Sequence, residues 1–170
     1  IIKLRYEIAQ DILQNIIEYK PQADLVIKKL KAKNFTLAIT TTTKRTNMDK
    51  YRTLNKNINA KAPLDEYFDL IYTREDVSKI KPDPEVYQKA MRKFNANPEE
   101  CIIFEDSLIG IEATKKAGIE TIAIYDKYSD ADTEAIKAQA DFYLHNYTEL
   151  LSSIEELYTQ QGMLKHNLIY

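Results

Sequence analysis

Apolar positions recur at helical spacing through residues 4–19, where Leu4, Ile8, Ile12 and Ile16 are joined by Tyr6, Leu13 and Ile17. Pro21 ends that pattern, and residues 23–33 open a second helix with Leu25, Val26 and Leu30 as its buried stripe. The period then changes. Phe35-Thr36-Leu37-Ala38-Ile39-Thr40 is an apolar run of strand length, followed by the polar stretch Thr41-Thr42-Thr43-Lys44-Arg45. A polar helix is predicted from about residue 47 to 57, a turn over 63–67, and a short strand at Asp69-Leu70-Ile71-Tyr72. Lys79-Ile80-Lys81-Pro82-Asp83-Pro84 reads as an extended loop, because each proline turns the residue before it away from helix. Pro84 suits the first turn of an amphipathic helix over residues 85–94.

The next stretch organises the rest. Cys101-Ile102-Ile103-Phe104 runs straight into Glu105-Asp106, and Ser107 is a good N-cap for a helix that Gly118 stops. A buried strand over 120–125, a helix over 130–140, a short strand over 141–145 and a helix over 148–158 complete the pattern. Strands alternating with helices predict an α/β fold, a doubly wound parallel sheet covered on both faces. In such a sheet Glu105 and Asp106 lie at the carboxyl end of a strand, where ligands bind.

Composition narrows the function classes. With 170 residues, 44% apolar and 29% charged, the chain can build one ordinary core. Lys and Arg number 24 against 26 acids, so the charge balance points neither to nucleic acid nor to a membrane surface. A single cysteine excludes an internal disulfide framework and suits a reducing, cytoplasmic setting. The chain opens at Ile1 inside a helical pattern, as a piece of a longer protein would.

Three polar groups fall at strand ends or on a loop: Thr41/Thr42, Lys81, and Glu105-Asp106. Adjacent carboxylates repel unless a cation holds them, and hard oxygen ligands suit Mg²⁺. Hydroxyls that bind phosphoryl oxygens, a lysine that neutralises charge and a metal-holding acid pair together make a phosphate site. Cys101 reads as core packing, and His145 and His166 have no ligand spacing. The tyrosines are spread through helices and strand ends as packing residues.

The segments "LAITTTT", "KPDPEVY" and "CIIFEDSLIGIEATKKAGI", in that order, resemble the second, third and fourth motifs of the haloacid dehalogenase-like hydrolase superfamily. The likeness is to its phosphoglycolate-phosphatase-like and β-phosphoglucomutase-like branch and covers roughly residues 20–155, including the ending "YDKYSDADTEAIKAQADFYLHNYTELL". The resemblance implies a Mg²⁺-dependent phosphomonoesterase working through an aspartyl-phosphate on a small phosphorylated metabolite. It assigns phosphate binding to Thr41 (with Thr42 the competing register) and Lys81, and the metal to Asp106 and Glu105. A sugar-phosphate mutase and a non-catalytic binding relative are the alternatives. A monomer or weak homodimer is expected.

One motif of the family is missing. Its nucleophile and general acid/base are two aspartates in an Asp-x-Asp that follows the first, central strand, and nothing before Thr41 matches. Asp130-Ala131-Asp132 lacks an apolar strand immediately before it and is set aside as a decoy. In the family order 3-2-1-4-5, losing that first strand would leave two unpaired edges inside a buried sheet. The tail, Met163-Leu164-Lys165-His166-Asn167-Leu168-Ile169-Tyr170, reads like the family's opening strand and is the candidate to fill the gap. Residues 1–19 are then expected to be the end of a helical cap, 20–158 the core domain, and 159–170 a tail with strand character.

Overall fold

The computed structural model describes residues 2–160 and 167–169. Among these residues the strands are β1 Thr36–Thr40, β2 Leu70–Tyr72, β3 Cys101–Glu105, β4 Glu120–Ile124, β5 Phe142–Leu144 and β6 Asn167–Ile169. They form one sheet in the order β2-β1-β6-β3-β4-β5, and every neighbouring pair is parallel. The helices are α1 Ile2–Asp11, α2 Ala23–Ala32, α3 Arg45–Thr53, α4 Lys56–Lys61, α5 Leu64–Tyr67, α6 Glu85–Phe94, α7 Leu108–Ala117, α8 Thr133–Gln139 and α9 Tyr147–Gln160. Among the described residues no helix is long and apolar enough to cross a membrane.

Alternation along β3 shows why its apolar run is unbroken. Ile102 and Phe104 pack with Val26, Ile27 and Leu30 of α2 and with Leu150 and Ile154 of α9. Cys101 and Ile103 point the other way, against Val86, Tyr87, Ala90 and Met91 of α6 and Ala113 of α7. A parallel strand covered on both faces needs apolar side chains at every position. This is a doubly wound α/β sheet.

Its centre is β6. Asn167, Leu168 and Ile169 pair with Thr36, Leu37 and Ala38 of β1 on one side, and with Cys101, Ile102 and Ile103 of β3 on the other. Residues 163–166 and 170, the rest of the stretch read as a possible opening strand, lie outside the described residues.

Local departures from the sequence pattern have tertiary causes. The helix predicted over 47–57 is split at Asn55, which is fully buried. Its carbonyl oxygen accepts from the Ile58 N–H at 2.7 Å as the cap of α4, while its amide donates to the Leu13 and Ile17 carbonyls at 2.6 and 2.9 Å. Those bonds capture the chain where the predicted 4–19 helix gives way, after α1, to a π turn over Ile12–Ile16. Ile8 and Ile16 of that stripe are exposed, and so is Leu25; in α2 it is Ile27 that joins Val26 and Leu30 in the core. Asp130 and Asp132 sit in a 3₁₀ turn over Lys127–Asp132, separated from the end of β4.

Candidate functional site

Because all strands run the same way, the residues that follow β1, β3 and β4 gather at one end of the sheet. A cleft of about 480 Å³ opens there, lined by Thr40, Thr41, Thr42, Lys81, Glu105, Asp106, Ser107 and Tyr147, with Ile39, Phe104 and Ile109 as apolar walls. The structure thus brings together Thr41, Thr42, Lys81, Glu105 and Asp106.

Lys81 arrives from the loop ahead of α6, whose Lys81–Pro82 peptide is cis. The Glu85 carboxylate fixes that loop by accepting from the backbone N–H groups of Ser78 and Lys79 at 2.9 and 2.8 Å. The Lys81 ammonium donates to Glu105 Oε2 at 2.7 Å and to the Thr40 carbonyl at 3.2 Å, and stands 4.9 Å from the centre of the Tyr87 ring. Both partners of the ion pair are buried, with side-chain exposures of 8% and 9%.

Glu105 is saturated with donors. Tyr87 Oη donates to Oε2 at 3.0 Å, while Oε1 accepts from the Asp106 N–H at 3.1 Å and from Ser107 Oγ at 2.9 Å. Burial pushes its carboxyl up, but Lys81, Ser107 and the Asp106 N–H outweigh that and hold it below the usual carboxylate range. The carboxylate lies over the first turn of α7, where Ser107 Oγ caps the Gly110 N–H at 3.3 Å. Gly110 is what permits this: a Cβ there would lie 2.0 Å from Glu105 Cδ.

Asp106 differs from its neighbour. Its side chain is 47% exposed toward the cleft and meets the Lys20 ammonium at 2.9 Å. Lys20 also pairs with Asp126 at 2.6 Å. Burial works against the charge on Lys20, but Asp126 and Asp106 outweigh it and raise its pKa above the ordinary lysine value. Burial likewise opposes the charge on Asp126, and Lys20 with the Tyr128 N–H keeps its carboxyl low. Tyr147, on the cleft wall, is pushed up to about 12, chiefly by burial, and keeps its phenolic proton.

On the opposite side, the Thr41 N–H donates to the Tyr72 carbonyl at 3.0 Å, tying the end of β1 to β2. The Thr41 hydroxyl donates to Thr43 Oγ1 at 3.0 Å and accepts from the Thr43 N–H at 3.1 Å. Thr41 is half-buried and Thr42 exposed, and both line the cleft.

The donor chemistry suits Mg²⁺ in one particular mode. That ion is commonly held by one or two carboxylates together with waters and phosphate oxygens, not by an all-protein cage. Asp106 offers such a carboxylate, whereas both Glu105 oxygens already accept hydrogen bonds. Among the described residues no group of three or more His, Cys, Asp and Glu side chains is arranged to hold a metal alone.

The sequence reading missed Lys20, Tyr87, Gly110, Asp126 and Tyr147. Asp126 had a signal, since it follows the apolar run of β4 much as Asp106 follows that of β3. Lys20 had none; its place is set by the fold.

Comparison with known proteins agrees with this geometry. Residues 1–124 match the family model described as haloacid dehalogenase-like hydrolase. A phosphorylated carbohydrates phosphatase of Thermotoga maritima is 32% identical over 118 residues, 69% of this chain and 51% of that protein. The crystal structure of CbbY from Rhodobacter sphaeroides in complex with phosphate superposes with a TM-score of 0.74 at 28% identity, covering 90% of this chain and 66% of that one. A HAD hydrolase of family IA from Entamoeba histolytica gives a TM-score of 0.71 at 26% identity, over 91% of this chain and 66% of its own. The chain spans about half the length of the curated relatives it matches. By motif order, sequence and fold, it belongs to the haloacid dehalogenase-like hydrolase family.

Proposed function

We propose that the cleft is the phosphate and Mg²⁺ site of a phosphomonoester hydrolase whose substrate is a small phosphorylated metabolite, of the carbohydrate-phosphate kind named for the Thermotoga relative. The observation that carries this reading is the convergence of Thr41, Lys81 and Asp106 on one cleft at the carboxyl end of a parallel sheet. Thr41, with Thr42 beside it, binds phosphoryl oxygens through hydroxyl donors. Lys81 neutralises charge on the transferring group, and Glu105, Tyr87 and the Thr40 carbonyl fix its position beforehand. Glu105 serves the site through Lys81, and Asp106 is the carboxylate that meets the metal. Mg²⁺, when bound, would supply the remaining positive charge opposite the phosphoryl oxygens.

The acceptor carboxylate that the resemblance implies is not among the described residues. The strand in its expected place is β6, which pairs with β1 and β3 through Ile169.

The test is thermal unfolding of the chain with Mg²⁺ and inorganic phosphate. Ligand at about ten times its dissociation constant stabilises by roughly 1.4 kcal/mol, a rise of about 4 °C for a chain of this size. Asp106→Asn removes the Mg²⁺ response. A full response in that variant would place the metal elsewhere, and Mg²⁺-dependent turnover of p-nitrophenyl phosphate by these 170 residues would show that an acceptor carboxylate lies among them, against this reading.

A further inference from the structure

Lys20 has no part in the reading above, yet it touches the carboxylate on which that reading depends. It lies in the segment between the π turn and α2, and its backbone is pinned. The Lys20 carbonyl accepts from the Ala23 N–H at 3.0 Å, and the preceding Tyr19 hydroxyl donates to the Ala62 carbonyl at 2.6 Å. These bonds hold the backbone in place while the Lys20 side chain reaches Asp106 at the cleft. Its ammonium bridges Asp106 Oδ2 at 2.9 Å and Asp126 Oδ2 at 2.6 Å. Asp126 is fixed in turn, since its other carboxylate oxygen accepts from the Tyr128 N–H at 2.7 Å.

A divalent cation directed to Asp106 meets a carboxylate whose Oδ2 already accepts from this ammonium. Two cations on one carboxylate repel each other, and more strongly in a part-buried site than in water. We propose that Lys20 is an internal competitor for the metal position: its ammonium neutralises Asp106 when no metal is bound and withdraws onto Asp126 alone when one arrives. Asp126 is then the parking partner of the displaced ammonium. The lysine stem is long enough to exchange between two carboxylates by side-chain rotation, without movement of the pinned backbone. The device compensates the acids of an empty site and sets a threshold of metal concentration for filling it. It rests on the reading of Asp106 as a metal ligand.

The experiment is a calorimetric titration of the intact chain with Mn²⁺ as the probe, in wild type, Lys20→Met, Lys20→Gln and Asp106→Asn. Removing the competitor tightens Mn²⁺ binding on the order of tenfold, within the range usual for coupled ligands. Both Lys20 variants should show it, and Asp106→Asn should abolish binding. In the wild type, amine-selective labelling of Lys20, read by mass spectrometry, should increase when Mn²⁺ is added. If wild type binds through Asp106 with the same affinity as the Lys20 variants, the competitor role is overturned and the metal site survives. Weaker binding in those variants overturns it too, since Lys20 would then assist the loaded site. Binding that ignores Asp106→Asn overturns the metal assignment itself.

Discussion

Replacing Lys81 by Met tests the electrostatic centre of the site without any substrate. The substitution keeps the volume of the stem but removes the ammonium that donates to Glu105 and to the Thr40 carbonyl. It leaves a carboxylate 9% exposed with no cation in contact. Breaking a buried ion pair by removing one partner costs about 3–5 kcal/mol. Tyr87, Ser107 and the Asp106 N–H still donate to Glu105, so the lower end, about 3 kcal/mol, is expected here. Urea unfolding followed by circular dichroism at neutral pH would measure it. The reasoning requires two further results. Adding Glu105→Gln to Lys81→Met must recover part of the loss, with a coupling of about 2 kcal/mol. The loss must also depend on pH. In the wild type the Glu105 carboxyl is held low, so its contribution is present above the unfolded value of about 4.3 and is lost as pH falls through the lower folded value. In Lys81→Met the group that offsets burial is gone, the carboxyl moves up, and protonation relieves the buried charge. The gap between the two proteins therefore narrows as pH falls. A loss under about 1 kcal/mol, strict additivity of the two substitutions, or a gap that widens in acid would refute this account.

Two other perturbations separate local from global roles. Gly110→Ala forces a methyl into the space held by Glu105 and is expected to cost about 2–3 kcal/mol as overpacking. Gly118→Ala, which meets only a positive φ of 71° and no atom within 4 Å, should cost about 1 kcal/mol; equal losses in calorimetric scans would discount the contact with Glu105. Deleting residues 161–170 strips the hydrogen-bonding partners from facing edges of β1 and β3, and the cooperative urea transition should disappear. A sharp transition at an unchanged midpoint would show that β6 adds nothing to the sheet.

The fold was legible where burial acts on both faces of an element. β3 could be read because Cys101–Phe104 is apolar without a break, and α7 because Ser107 and Gly118 mark its ends with groups that satisfy its backbone. The division between α3 and α4 was hidden, since Asn55 interrupts the helix to serve carbonyls of residues 13 and 17. The site was legible in its charged residues, whose types announce their chemistry. Its supports were not. Gly110 counts only because Glu105 folds back over it, and Tyr87 only because α6 packs against the face of β3 opposite to α2. Even Glu105 and Asp106, adjacent and of the same charge, take different parts. One is sealed under Lys81 and Tyr87 and the other opens to the cleft, a division that alternation along a strand end creates and composition does not reveal.

The seat of β6 also bears on how the chain acquires its structure. On a ribosome, residues 36–40 emerge before residues 167–169, which follow every other strand described here. Until they do, β2-β1 and β3-β4-β5 can exist only as two half-sheets, each with an open apolar edge where β6 belongs. Closing that gap links partners far apart in sequence, which makes the step slow and leaves the edges exposed meanwhile. The two half-sheets therefore remain open to mispairing until β6 arrives. By the same geometry, a detached peptide carrying that strand could restore a truncated chain in trans, making the sheet a natural split-protein pair.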